Sequence, residues 1–213
     1  MVSTGGKLSR LYLEALRAGD GPGAYRIASR ALIEGADVPA LYQRVIAPAM
    51  QEIGSLWATG ALTVADEHRA TELTNRVLAA LRPPLGAEVE ASIALWGRAL
   101  LATVEGERHA LGLRMASDIL EDSDLEAIYL GADVPIRALL QAVAITEPDL
   151  VVLAATMPAL APRLEEAVDA VRRAHPRVEV LVGGQAASPR ITGGTLVESF
   201  ELLPERVRLR SQV

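Results

Sequence analysis

Ala99-Leu100-Leu101-Ala102-Thr103-Val104-Glu105-Gly106-Glu107-Arg108-His109-Ala110-Leu111-Gly112 runs from an uncharged stretch through a charged turn into a new segment. Residues 99–104 suit a strand buried on both faces, and the Glu105-Gly106 pair supplies the break that ends it. The same punctuation recurs downstream. Short apolar runs at 127–130, 150–154 and 178–182 alternate with helix-length segments at 109–121, 135–146 and 162–174. Alternation of this kind predicts a parallel sheet with helices on both faces.

With 196–200 as a last strand the sheet has five strands, and a flavodoxin-like order is the natural one at this size. Ligands of such a sheet lie beyond the C-terminal strand ends. Upstream the period is helical. Leu41, Val45, Ala49, Ile53 and Leu56 recur every three to four residues, which makes one apolar stripe. Asp37 is placed to cap that helix, with Pro39 in its first turn and Gly60 as its stop. Thr63 and Asp66 form a variant capping box for the next helix, which runs to the breakers Pro83 and Pro84. Adding 8–18 and 24–34 gives a four-helix bundle. The expected fold is therefore all-α over 1–84, a linker at 83–90, and an α/β domain over 91–213.

Composition narrows the function. The 213 residues are 50% hydrophobic but only 3% aromatic, which favours packed helices and a parallel sheet over a β-sandwich. A net charge of −6 argues against a nucleic-acid groove, and basic residues cluster only at Arg206, Arg208 and Arg210. The absence of cysteine rules out disulfides, thiolate metal sites and a cysteine nucleophile. No apolar run reaches the ~18 residues of a membrane span, and the first residues lack a signal-peptide core. A cytoplasmic location is expected. No nucleophile–base pair is arranged for independent catalysis, so an enzyme is not expected.

His109 falls at the C-terminal edge of the first strand, where a neutral ring nitrogen can meet a metal. Glu107, two residues earlier, can hold the other ring N–H. Gly112 leaves room against the backbone, and Gly183-Gly184 at the end of the fourth strand offers a second close approach. A lone histidine there would more simply cap a helix. Together, Glu107-x-His109-x-x-Gly112, Thr156-Met157-Pro158 and Val182-Gly183-Gly184 resemble the cobalamin-binding domain of methionine synthase, corrinoid methyl carriers and cobalamin photoreceptors. The resemblance covers roughly 100–187. It implies base-off, His-on binding: the cofactor's own base leaves cobalt, its nucleotide tail enters the sheet, and His109 becomes the lower ligand. Arg108, inside the first motif, and Gln185, directly after the last, join the candidate set. Glu107 stands where many members have Asp. Ala154 stands where the third-strand motif often begins with Ser, which leaves tail recognition to Thr156 and backbone groups.

The helical half carries a second set. Trp57 lies in the last turn of one helix, and Glu67 and His68 lie just inside the next, with Val64 one turn before His68. A flat apolar ring beside a carboxylate and an imidazole suits a ligand with an aromatic face and hydroxyls, such as adenosine. An interior Trp with a solvated Glu-His pair is the plainer alternative. Trp57-x9-Glu67-His68 resembles the signature of adenosylcobalamin-dependent photoreceptors of the CarH type. The resemblance implies that Trp57 packs on the adenosyl group and that Glu67 and His68 flank it. The residue after the Trp, a cobalt-capturing histidine in the best-known members, is Ala58 here. The bundle begins almost at residue 1, so direct operator binding is not expected.

Three readings follow from the resemblance. The first is an adenosylcobalamin light sensor acting through a homo-oligomer (dimer or tetramer) or an effector protein. The second is a corrinoid methyl carrier binding methylcobalamin. The third is a cobalamin sensor or store indifferent to light. No motif speaks for or against a second tetrapyrrole such as a bilin, which without cysteine would be held non-covalently.

Overall fold

The computed structural model describes residues 4–82 and 97–208; the expected linker at 83–90 and Arg210 lie outside them. The chain divides into two compact units, Met1–Ser92 and Ile93–Val213.

Four helical rods build the first unit: α1 (Thr4–Ala18), α2 (Gly21–Ile33), α3 (38–58) and α4 (Val64–Leu81). Side chains start three of them. Asp20 accepts the Gly23 N–H at 2.8 Å and Asp37 the Ala40 N–H at 2.8 Å. Thr63 and Asp66 exchange both bonds of the expected capping box, which satisfies N–H groups that have no partner within the helix. Gly60, at φ +74, follows the end of α3 and supplies the left-handed residue that turns the chain away.

The sequence did not reveal a break in α3. Its first turn, Val38–Leu41, passes through a π turn at Tyr42–Ile46 before the α-helix resumes over Ala47–Ala58. Pro48 explains it: a proline in mid-helix has no N–H for the carbonyl four residues back, that of Arg44, and its ring crowds that carbonyl. A widened turn relieves both problems. Leu41, Val45, Ala49 and Ile53 are buried as expected, and the π turn adds Tyr42 and Ile46 to the buried face. Leu56, the last of the expected stripe, is half-buried.

The second unit is a five-stranded parallel sheet in the order β2-β1-β3-β4-β5, the flavodoxin-like order. Its strands are β1 (Gly97–Val104), β2 (Leu125–Val134), β3 (Leu150–Ala154), β4 (Glu179–Gly183) and β5 (Thr195–Leu196). Helices α5 (Leu111–Glu121), α6 (Ile136–Thr146), α7 (Ala161–Ala174) and α8 (Leu203–Arg208) connect and follow them. Leu100, Ala102 and Val104 of β1 join Val151 and Leu153 of β3 and Val180 and Val182 of β4 under α6 and α7. Ala99, Leu101 and Thr103 are buried too, so β1 is covered on both faces, as a central parallel strand must be.

Three expectations need correction. The first helix after β1 begins at Leu111 rather than at His109, so Gly112 is its second residue rather than one turn in. The β2 strand is longer than 127–130; as an edge strand it pairs only with β1 and follows it to Val134 through two irregularities. The last strand stops at Leu196 instead of reaching Phe200. There the Ser199 hydroxyl accepts the Glu201 N–H at 3.2 Å and opens a 3-10 turn, Phe200–Leu202, leading into α8.

Candidate cobalamin site

The strand order reverses between β1 and β3, and the ends of these two strands carry the first candidate set. After β1, Gly106 takes φ +89 and sends Glu107 inward, where its side chain is wholly buried. One carboxylate oxygen, Oε1, accepts the His109 backbone N–H at 2.8 Å and lies 2.6 Å from His109 Nδ1. The other, Oε2, accepts the N–H groups of Thr156 at 2.7 Å and Met157 at 3.0 Å. Burial pushes the Glu107 carboxyl up, but the bonds from Met157, His109 and Thr156 outweigh it and hold the group below the ordinary carboxylate range.

An ionised carboxylate only accepts hydrogen bonds, so Nδ1 carries the ring proton. In the neutral form of the ring, whose side chain is 44% exposed, Nε2 is then the nitrogen that keeps a lone pair. This is the tautomer a metal-binding histidine needs. The sequence reading foresaw one bond to Glu107; the two from the third-strand loop, about fifty residues away, had no sequence signal. They also alter one expectation. The N–H groups of Thr156 and Met157 face Glu107, which leaves the Thr156 hydroxyl as that motif's side-chain donor.

The surroundings leave space. A Cβ added at Gly112, in the first turn of α5, or at Gly183, at the end of β4, would meet nothing within 4 Å, so both glycines border open volume. Gly184 differs: it takes φ +91, and an added Cβ would lie 2.2 Å from the Ala155 carbonyl oxygen. Arg108 and Gln185 are exposed. Among the described residues no three His, Cys, Asp or Glu side chains gather as a metal cage. One imidazole on an open face suits a metal whose other donors come from a macrocycle, and these residues fit a corrinoid's lower side.

The second candidate set lies in the helical unit. Trp57, in the last turn of α3, is 37% exposed, so the interior-Trp alternative does not hold. The connection 59–63 leads directly into α4, which puts Trp57 and the first turns of α4 at one end of the bundle. Val64 is 54% exposed. The Glu67 side chain is only 16% exposed and that of His68 75%. Glu67 Oε2 lies 2.6 Å from His68 Nδ1, while Oε1 accepts the Thr71 hydroxyl at 2.8 Å. The carboxylate–imidazole pairing of Glu107 and His109, through Nδ1, thus recurs here.

Comparison with known proteins agrees with this geometry. A family model described as a B12 binding domain matches residues 97–193, and a second with the same description matches residues 8–82. The chain belongs to the B12-binding domain family. It is a cobalamin-binding protein. This B12-binding chain is 32% identical over 149 residues to the HTH-type transcriptional repressor CarH of Myxococcus xanthus, covering 68% of this chain and 47% of that protein. It is 25% identical over 134 residues to trimethylamine corrinoid protein 1 of Methanosarcina acetivorans, covering 63% and 62%. The chain therefore spans about half to three-fifths of these relatives' length. Among solved structures, the monomethylamine corrinoid protein of Methanosarcina barkeri shares the fold with a TM-score of 0.76, at 16% identity over 94% of this chain and 97% of that one. No described helix is long and apolar enough to cross a membrane.

Proposed function

We propose that this cobalamin-binding protein is an adenosylcobalamin light sensor that signals through an oligomer interface or a partner protein. The observation that carries this reading is the exposed indole of Trp57 at the same end of the helical unit as the Glu67–His68 pair. An exposed aromatic face beside hydrogen-bonding groups has the chemistry to recognise a nucleoside. The 32% identity to CarH supports the same direction.

His109 would hold the cobalt from its lower side, with Glu107 fixing the ring, and Thr156, Gly183, Gly184, Gln185, Arg108 and Gly112 lining the approach of the nucleotide tail. Bound adenosylcobalamin would supply a cobalt–carbon bond that green light breaks. Trp57, Val64, Glu67 and His68 would recognise the upper group, and its loss would free that surface, which biases an interface as other ligand switches do.

The corrinoid methyl carrier is the second reading, favoured by the fold shared with the monomethylamine corrinoid protein and by the trimethylamine corrinoid relatives. Dark titrations with adenosylcobalamin and methylcobalamin separate the two. A sensor prefers the adenosyl form, loses the preference in Trp57→Ala and changes its spectrum under green light. Equal affinities in the wild type, with an unchanged spectrum after strong green light, would hand the case to the carrier.

A further inference from the structure

We propose that Asp133, delivered by a bulge at the end of β2, is a positioning residue for cobalt ligation by His109. The inference rests on the reading of His109 as the lower ligand. On β1, Ala102 pairs with Gly131 and Val104 with Val134, so two steps along β1 are matched by three along β2. One extra residue is accommodated there, and bulges of this kind re-aim side chains beside functional sites. The backbone pays out the extra length through two left-handed residues, Gly131 at φ +85 and Asp133 at φ +57.

For a residue other than glycine this conformation is strained, and Asp tolerates it when its short side chain bonds nearby backbone. The Asp133 side chain does so across the strands: Oδ1 accepts the Gly106 N–H at 2.6 Å. Its own N–H lies 2.9 Å from the Glu107 carbonyl oxygen and 3.0 Å from the Thr103 hydroxyl oxygen. The Thr103 hydroxyl in turn donates to that same carbonyl at 2.6 Å. Asp133 therefore grips the 105–106 peptide through the Gly106 N–H and the 107–108 peptide through the Glu107 carbonyl, bracketing the Gly106-Glu107 segment. The wholly buried Glu107 carboxylate is held at one oxygen by the Thr156 and Met157 N–H groups, and at its root by the backbone that Asp133 fixes. Releasing Asp133 loosens the turn that carries Glu107, and with it the placement of the carboxylate against the imidazole.

The test uses the full chain labelled with 15N-histidine and loaded with Co(II) cobalamin, read by electron paramagnetic resonance. Protein histidine on cobalt gives a doublet splitting, whereas the cofactor's own 14N base gives a triplet. The wild type is expected to show the doublet. Asp133→Ala and Asp133→Gly should shift the signal toward the triplet and weaken cobalamin retention about 10–100-fold, the usual range for a support of a metal ligand. Asp133→Asn, which keeps Oδ1 and tolerates the backbone, should restore the doublet. Should Asp133→Ala fail to fold, Asp133→Gly carries the test, since glycine adopts this backbone freely. Doublets and retention at the wild-type level in a folded Asp133→Gly overturn the proposal. A wild type without the doublet overturns the ligand reading itself, and the proposal with it.

Discussion

At the scale of single residues, Glu107 decides more than its place beside His109 suggests. Four N–H donors converge on its two oxygens. Glu107→Gln would turn an amide NH2 toward donors, leaving buried N–H groups without acceptors at about 1–3 kcal/mol of stability, and should weaken cobalamin retention about 10–100-fold. Thermal melts of the cofactor-free chain measure the first effect. The same carboxyl makes stability depend on pH. Its folded value is depressed, so its contribution is present above the ordinary carboxylate range and disappears as pH falls through the folded value. Acid melts should show that loss in the wild type and not in Glu107→Gln. His109→Ala should abolish protein-nitrogen ligation; an unchanged axial nitrogen signal would refute the assignment. Gly112→Ala separates fold from function. The added methyl meets nothing within 4 Å and favours the helix by about 0.5–1 kcal/mol, yet it intrudes on the face assigned to the cofactor. The variant should melt higher without cobalamin and bind it more weakly, as differential scanning and dialysis would report.

At the scale of elements, most of what the sequence announced was local. The caps at Asp37 and Thr63, the stop at Gly60 and the strand–helix alternation were readable because each rests on residues a few positions apart. The π turn was not. Pro48 marked a conflict within α3, but whether a helix kinks, breaks or widens there depends on the packing of Tyr42 and Ile46, which a periodicity count does not contain. The β2 bulge was hidden for the same reason, since it exists only in register with β1. Of the candidate site, the Glu107–His109 contact was legible from their spacing, while the bonds of Asp133 and Thr103 to the backbone around Glu107 were not. Thr63→Ala should cost about 1 kcal/mol and loosen the turn bearing Val64, Glu67 and His68, visible as faster amide exchange there. In the bundle core, burial pushes the Tyr12 phenol up to about 12 from its ordinary 10.0. Its stabilising contribution is whole below pH 10 and is lost as pH rises through 12. Tyr12→Phe should therefore flatten alkaline melting, while giving up only the bond to Thr74.

At the scale of the whole molecule, the light response of the proposed sensor turns on Ala58. Alanine has no donor atom, so the residue after Trp57 cannot take up cobalt when the upper group departs. Illuminated protein should carry water or a mobile ligand there, exchange readily with cyanide or imidazole, and change its association state modestly in light scattering. A stable two-histidine spectrum that disappears in His68→Ala would instead assign the vacancy to His68.

The grip of Glu107 on Thr156 and Met157 spans 49 and 50 positions of chain, and this has a consequence for how the protein is made. His109 leaves the ribosome well before the loop that immobilises its carboxylate partner. A nascent chain ending short of Met157 holds His109 but not the acceptor geometry that selects its ring proton. On the proposed reading of His109 as the lower ligand, cofactor capture belongs after β3 has docked, and free cobalamin stabilises the finished fold by mass action.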